Sequence, residues 1–109
     1  MNNVSSNIGR GRIIDLVEEA PFLARKRTNK SIIESIINKN LLLISYRKIS
    51  TNRVITRIVE PYELQEDRLG RIILFAYDTT GRRKSIKSFT MDRVLSAIKQ
   101  GREFTPRIF

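Results

Sequence analysis

Apolar and polar residues divide this chain into a short helical part and a longer part made of strands. In SIIESIINK (31–39), isoleucines three and four residues apart form one face of a helix, which Asn29 or Ser31 can cap. Residues 11–19 group their apolar side chains together with acids behind them, which indicates another short helix. Pro21 ends that helix, because the residue before a proline disfavours helical backbone.

From residue 41 onward the pattern is that of short strands separated by turns. Residues 53–60 alternate with a period of two, and 71–78 is a nearly continuous apolar run typical of a central strand. The predicted strands are 41–48, 53–60, 71–78, 82–89 and 94–99. Strands in this order predict a mainly β (α+β) fold, in which a small, strongly bent, five-stranded antiparallel sheet forms a partly closed barrel after one or two short helices.

The composition restricts the function mainly through the residue types that are missing. The chain has 109 residues, enough for one domain, and contains neither His nor Cys. Because imidazole and thiolate groups are absent, we predict no catalytic residues, no metal ligands and no cofactor, and hence no enzyme. No apolar run is long enough to cross a membrane and the start lacks a signal-peptide pattern, so we expect a cytoplasmic protein.

The net charge of +10 indicates a polyanionic partner. Of the 21 basic residues 14 are Arg, whose planar guanidinium suits phosphate groups and stacks on bases. Residues 79–109 carry eight basic and two acidic side chains, a net charge of +6, so the C-terminal third is the most electropositive. An acidic protein partner, or charge that serves only solubility, is the competing interpretation.

Five short motifs make residues 31–109 resemble a WYL domain. The motifs are ISYR (44–47), RIVEPYEL (57–64), GRIILFAYD (70–78), FTMDRV (89–94) and REFTP (102–106). Two departures stand out: Ile72 and Ile73 replace the Trp and Tyr that name the family, and Thr90 replaces a basic residue that usually follows the Phe. The first change keeps hydrophobic side chains, whereas the second removes an expected contact to an anion.

The resemblance implies an Sm-like barrel that senses a ligand or binds nucleic acid in bacterial and phage regulators. The implied partner is single-stranded DNA or RNA, or a nucleotide-like ligand, and the implied role is transcriptional or defence regulation. Such domains usually follow a winged-helix DNA-binding domain, for which residues 1–30 are too short. We therefore expect a stand-alone protein from a phage or mobile element, or else an excised domain, with a basic extension and short amphipathic helix at 1–30 and the barrel at 31–109.

Six side chains are candidates for ligand binding: Tyr46, Arg47, Arg57, Arg83, Lys87 and Arg93. The resemblance implies that Tyr46 and Arg47 line the pocket, with the ring free to stack and the guanidinium free to bind phosphate, and that Arg93 faces the ligand. Arg83 and Lys87 are spaced to lie on one face of a strand and so to line the same groove. The competing interpretation is that these side chains are ordinary solvated or core-edge residues.

Two residues of the RIVEPYEL motif are interpreted as structural. Glu60 is expected to pair with an arginine and Tyr62 to pack, while Pro61 fixes the direction of the chain. We therefore expect this motif to support the site and not to bind the ligand through those side chains.

Apolar residues near the N terminus offer an alternative function. They are Ile13, Ile14, Leu16, Val17, Phe22 and Leu23. In one interpretation these side chains pack on the barrel. In the other they form a contact between two copies of the chain, or dock on RNA polymerase or another host protein, which makes the chain a protein-interaction factor.

Overall fold

The computed structural model describes residues 11–16 and 27–109, which form one α-helix, one 3-10 turn and six strands. Helix α1 spans Arg27–Asn38, and the 3-10 turn Met91–Arg93 joins the last two strands. The strands are β1 (Arg12–Ile13), β2 (Asn40–Arg47), β3 (Val54–Glu66), β4 (Ile72–Asp78), β5 (Ile86–Thr90) and β6 (Val94–Glu103). The prediction of a mainly β fold behind a short helix is confirmed.

All six strands belong to one antiparallel sheet, in which β5, β4, β3, β2 and β6 follow one another. β2 pairs with β3 as far as Val59, and β1 uses the same edge of β3 further on, at Gln65 and Glu66. Within the described residues the end strands β5 and β6 are not paired with each other. The sheet is therefore bent but not closed.

A contact between two distant strands shows how strongly the sheet bends. Tyr46 on β2 and Phe89 on β5 are separated by three strand spacings, about 14 Å in a flat sheet. Their ring centroids are 5.1 Å apart in an edge-to-face arrangement, and the backbone N–H of Thr90 donates to the Tyr46 hydroxyl at 3.2 Å. One face of the sheet, called the inner face here, is thus deeply concave.

The hydrophobic core lies between the inner face and α1. Alternation along β2 buries Leu42, Ile44 and Tyr46, and the helix contributes the buried Ile32 and Ile33. Helix α1 packs against β6, β2 and β3 near the start of β2. The opposite end of the inner face, around Tyr46, opens into a cleft instead.

The N-terminal segment differs from the prediction. Residues 11–16, the described part of the predicted helix, contain strand β1 instead of a helix, and residues 17–19 lie outside the described residues. Arg12 pairs with Glu66 because β3 continues beyond the first residues of β2, and its edge is free for another strand there. The N–H of Gly11 also donates to the Gln65 side chain at 2.7 Å. Local patterning could not reveal this partner, which lies more than fifty residues away.

Three strand ends also differ from the prediction. The last strand, β6, runs to Glu103 and not to residue 99. β3 continues through Pro61 to Glu66, since a β-bulge between Pro61 and Glu63 accommodates the proline. β5 begins at Ile86 and not at residue 82, because the Asp78 side chain accepts backbone N–H bonds and folds the preceding residues into a loop. The prediction that Arg83 and Lys87 share one face of a strand is therefore wrong, because only Lys87 lies in β5.

Candidate functional site

The register of the sheet places three charged side chains together on the inner face. Residues directly opposite each other in paired strands share a face. Ile44 is opposite Arg57, Val59 is opposite Asp78, and Ala76 is opposite Lys87. Arg57, Asp78 and Lys87, called the Asp78 cluster below, therefore lie beyond the apolar core at the end of the inner face away from α1.

Asp78 is the fixed centre of this cluster, with a fully buried side chain. Its Oδ1 accepts the backbone N–H groups of Thr80 at 3.0 Å and Gly81 at 2.8 Å, which is the hydrogen bonding of an Asx turn. Its Oδ2 accepts from Lys87 Nζ at 2.7 Å and lies 3.5 Å from Arg57 Nε. The carboxylate is thus held by its own turn and holds two cations from other strands.

The charge on Asp78 follows from these contacts. Burial by itself would raise the pKa of the Asp78 carboxyl. Hydrogen bonds from Lys87 and from the N–H groups of Thr80 and Gly81 outweigh burial and hold this pKa below its usual value. Asp78 is therefore ionised at neutral pH, and the cluster carries two positive charges and one negative charge.

Both cations keep hydrogen-bonding capacity for a ligand. Arg57 uses Nη1 to donate to the backbone oxygen of Thr56 at 2.9 Å, and its Nε is buried beside Asp78. Within the described part of the chain, the remaining N–H groups of its guanidinium form no hydrogen bond. The Lys87 ammonium has three N–H donors, and Asp78 takes one of them. The side chains of Arg57 and Lys87 remain 29% and 34% exposed, so both reach solvent.

These two cations line a cleft of about 600 Å³, a size typical of small-ligand sites. Its walls come from β2, the β2–β3 turn, β3 and β5. The lining residues are Tyr46, Lys48, Ile49, Ser50, Ile55, Arg57, Ile86, Lys87, Ser88 and Phe89. The walls carry three cations and no carboxylate, with the buried Asp78 behind them, so the cleft suits an anionic ligand with an apolar part.

Two further arginines are ordered at the β2–β3 turn, beside the cleft. Arg47 Nη1 donates to the backbone oxygen of Asn52 at 3.0 Å. Arg93 Nη1 lies 3.5 Å from Asn52 Oδ1 and 3.4 Å from the backbone oxygen of Lys48. Asn52 has a φ of +58°, a left-handed conformation that Asn tolerates better than most residues. Arg47 and Arg93 thus flank the turn and do not line the cleft.

Tyr46 forms part of the wall, but its environment differs from the expected one. The residue is only 7% exposed, with its ring edge-to-face on Phe89 and its hydroxyl bonded to Thr90. Little of the ring surface is open for base stacking. The apolar surface that a ligand meets comes instead from Ile49 and from neighbouring isoleucines of the cleft.

The remaining sequence candidates are dispersed. Arg83 is exposed in the loop between β4 and β5 and does not line the cleft. Ile14 is buried in the core and Leu16 packs against it, whereas Ile13 is 43% exposed. The other apolar candidates, Val17, Phe22 and Leu23, lie outside the described residues. The fold itself thus uses two of the residues considered for docking on a protein.

Sequence reasoning missed Lys48 and Asp78 as parts of the site. Asp78 ends the FAYD strand, where its place directly before Thr-Thr-Gly marks it as a turn residue. Asp78 lies two residues after Ala76 and four after Leu74, so it shares the inner face with them. The sequence does not show this alternation, because the residues on both faces of β4 are apolar.

A second carboxylate cluster lies on the outer, convex face of the sheet. Glu60 is 6% exposed and accepts from Arg107 Nε at 2.8 Å, from Arg107 Nη2 at 3.1 Å and from the Tyr62 hydroxyl at 3.0 Å. The Arg107 guanidinium also lies 3.9 Å from the centre of the Tyr77 ring, and Phe109 packs edge-to-face on Tyr62. This Glu60 cluster ties the C-terminal segment to β3 and β4, as expected for a structural pair.

Two kinds of feature are missing from the part of the chain that the structure describes. Among residues 11–16 and 27–109, no three His, Cys, Asp or Glu side chains are grouped in a way that could hold a metal ion. Over the same residues, no helix combines the length and the apolar character needed to cross a bilayer.

Comparison with known proteins agrees with this fold. One solved structure, the proteasome accessory factor B/C (PafBC) of Arthrobacter aurescens, is similar to the chain with a TM-score of 0.61 at 20% sequence identity. The similarity covers 93% of this chain but only 14% of that one, and at this identity it shows the fold alone. A comparison with curated proteins gave no match. The family model of the WYL domain matches residues 27–99, and the chain therefore belongs to the WYL domain family.

Proposed function

We propose that this chain is a regulatory binding module that takes single-stranded nucleic acid, or a nucleotide-like ligand, by its phosphate in the inner-face cleft. Membership of the WYL family supports a regulatory, ligand-binding role. We infer that the module acts in the control of transcription or defence, and that it does so by binding and not by catalysis.

The observation that carries this proposal is the lining of the cleft. Lys48, Arg57 and Lys87 line one concave space, and Arg57 and Lys87 keep free N–H donors there. Phosphate oxygens accept several charge-assisted hydrogen bonds, and Arg and Lys are their usual donors. A phosphate at this point would accept from the unused guanidinium and ammonium N–H groups of Arg57 and Lys87 that face the cleft.

The shape of the cleft favours a single strand over a duplex. A volume of about 600 Å³ between strands and a turn holds a group of nucleotide size. An unpaired nucleotide can place its base against the isoleucine wall while its phosphate meets the cations. A paired base cannot enter without leaving its stack, which costs a few kcal/mol.

Fluorescence anisotropy with short single-stranded DNA, single-stranded RNA and duplex DNA tests the proposal across a range of salt concentrations. We expect both single strands to bind more tightly than the duplex, with log affinity falling linearly in log salt. Lys87→Gln and Arg57→Gln should each weaken binding and flatten the slope by about 0.7, the value for one lost phosphate contact on a single strand.

Arg102→Gln is the matched control, because Arg102 is exposed on β6 and does not line the cleft. It removes the same charge but should leave affinity within about twofold, as expected for diffuse attraction alone. Equal losses for Arg102→Gln and Lys87→Gln would contradict a specific phosphate site. The oligonucleotides should also keep their length during incubation with the protein, since cleavage would contradict a role in binding alone.

A further inference from the structure

The Asp78 cluster combines two cations with one carboxylate that a ligand cannot displace easily. Asp78 Oδ1 is held by the N–H groups of Thr80 and Gly81, and Oδ2 is held by Lys87. The side chain is fully buried behind the cations that line the cleft. A ligand oxygen that contacts Arg57 and Lys87 therefore also lies within a few ångströms of a permanent negative charge.

We propose that Asp78 sets the charge of the phosphate that this cleft accepts, favouring the monoanionic phosphodiester of a chain interior over the dianionic phosphate of a chain end. This inference rests on the proposed function and deepens it. Asp78 does not contact the ligand in this account; it acts through Arg57 and Lys87 as a positioning residue and as a fixed countercharge.

The physical basis is the sum of charges at the cluster. Arg57, Lys87 and Asp78 together carry a net charge of +1, which one phosphodiester neutralises. A terminal phosphate carries between one and a half and two negative charges at neutral pH. Its additional charge meets no unpaired cation within the cluster and is repelled by Asp78; Lys48, the third cation of the cleft wall, lies in the β2–β3 turn and not in the cluster. The lowered pKa of the Asp78 carboxyl keeps that repulsion present throughout the neutral range.

The distances within the cluster indicate that Asp78 affects which ligand charge is bound, in addition to positioning Arg57 and Lys87. Asp78 Oδ2 is 2.7 Å from Lys87 Nζ and 3.5 Å from Arg57 Nε, so all three charges act at the same point. Charges this close interact strongly where water is partly excluded. A carboxylate that only positioned the two cations would not distinguish one ligand charge from another.

Two probes of equal sequence test the inference: short oligothymidylates with a 3′ fluorophore and either a 5′ hydroxyl or a 5′ phosphate. The measured quantity is the ratio of the two affinities at neutral pH. For the natural sequence we expect a ratio within about twofold of one. Asp78→Asn keeps the turn acceptor but raises the cluster charge to +2, so it should shift the ratio toward the phosphorylated probe by about tenfold.

A charge-restoring double variant separates the electrostatic role from the structural one. Lys87→Gln lowers the cluster charge to zero and should weaken both probes while leaving the ratio within about twofold of one, because both still bind by their interior phosphodiesters. Asp78→Asn combined with Lys87→Gln returns the charge to +1, and we expect the ratio to return to within about twofold of the natural value, even if both affinities fall. Circular dichroism and the melting temperature show whether each variant is folded.

Asp67→Asn is the matched control. Asp67 also accepts backbone N–H groups in a turn and pairs with an arginine, Arg71, at 2.7 Å, but it lies in the β3–β4 turn and does not line the cleft. This variant changes the total charge as Asp78→Asn does, and it should leave the ratio unchanged. An equal shift in both variants would overturn the inference in favour of overall charge.

The possible failures can be told apart. If the natural sequence binds both probes but Asp78→Asn leaves the ratio unchanged, the inference is wrong and the proposed function stands. The inference is also wrong if the double variant keeps the ratio of Asp78→Asn. If neither probe binds the natural sequence, the proposed function is overturned for single-stranded DNA, and the inference that rests on it is overturned as well.

Discussion

Two buried carboxylates, on opposite faces of the same sheet, are used in different ways. On the outer face Glu60 receives three hydrogen bonds from Arg107 and Tyr62, and the Arg107 guanidinium is further covered by an aromatic ring. On the inner face Asp78 also holds cations, but these keep unused donors that face an open cleft. The comparison teaches that burial of an ion pair does not identify a site; the concave cleft that the cations of Asp78 line does.

The strongest test of this comparison is removal of the inner carboxylate. Asp78→Ala removes the turn acceptor and leaves Lys87 and Arg57 without their countercharge. We expect the free energy of unfolding, measured by urea denaturation, to fall by about 3 kcal/mol. Asp78→Asn keeps the turn bonds and should lose less. Equal losses in the two variants would mean that the charge, and not the turn, stabilises this region.

A smaller perturbation moves the inner carboxylate without removing it. A Cβ placed at Gly81 would overlap Asp78 Oδ2 and would lie 3.1 Å from Lys87 Nζ. We expect Gly81→Ala to lower the free energy of unfolding by about 2 kcal/mol and to weaken oligonucleotide binding. Gly101→Ala is the control, since a Cβ there meets no atom within 4 Å. Similar behaviour of the two variants would show that the packing around Asp78 is not tight.

The outer cluster should affect stability without affecting binding. Arg107→Ala removes both hydrogen bonds to Glu60 and the cation that covers Tyr77. We expect the melting temperature to fall by a few degrees while oligonucleotide affinity stays within about twofold. A loss of affinity like that of Lys87→Gln would show that the two faces are coupled through β4, where Tyr77 and Asp78 are neighbours.

A third buried carboxylate, Glu63, gives the smallest change in stability and one of opposite sign. Among residues 11–16 and 27–109, neither of its buried oxygens has a hydrogen-bond partner. Burial raises the pKa of Glu63, and the adjacent Gln65 amide offsets only part of that rise. The charged form therefore destabilises the folded chain at neutral pH. We expect Glu63→Gln to raise the free energy of unfolding at pH 7 by about 1 kcal/mol.

The pH dependence of this gain has a definite sign. Because the folded-state pKa of Glu63 is raised, the folded chain takes up the proton first as the pH falls. The destabilisation then disappears, so the advantage of Glu63→Gln should shrink as the pH falls toward the ordinary carboxyl value of 4.5. Chemical denaturation at several pH values measures this, and an advantage that does not vary with pH would mean that the pKa of Glu63 is the same in the folded and the unfolded chain.

The sequence allowed the strand bodies to be predicted because alternation and turn residues are local signals. The segments 41–48, 53–60 and 71–78 coincide with β2, the first half of β3 and β4. It did not allow prediction of β1, because the free edge that β1 uses exists only after β3 has run past β2. The β-bulge at Pro61 was missed for a similar reason. Whether a strand can continue through a proline depends on how it pairs with the neighbouring strand, here β4.

The candidate site was predictable only in part. Arg57 and Lys87 could be selected from their motif and spacing, and both line the cleft. Their joint partner could not be found, because three strands must pair in register before Asp78 lies between them. Tyr46 could be assigned to the wall, but its packing against Phe89 depends on the bend of the whole sheet.

The cleft follows from a difference in length between two elements. A helix of twelve residues is about 18 Å long, whereas a strand of thirteen residues is about 43 Å long, so α1 cannot cover the whole inner face. The covered half packs against the helix, whereas the wall of the bare half faces solvent at residues such as Ile49, which is 64% exposed. Substitutions at such exposed wall residues can therefore change what is recognised without disturbing the packing beneath the helix.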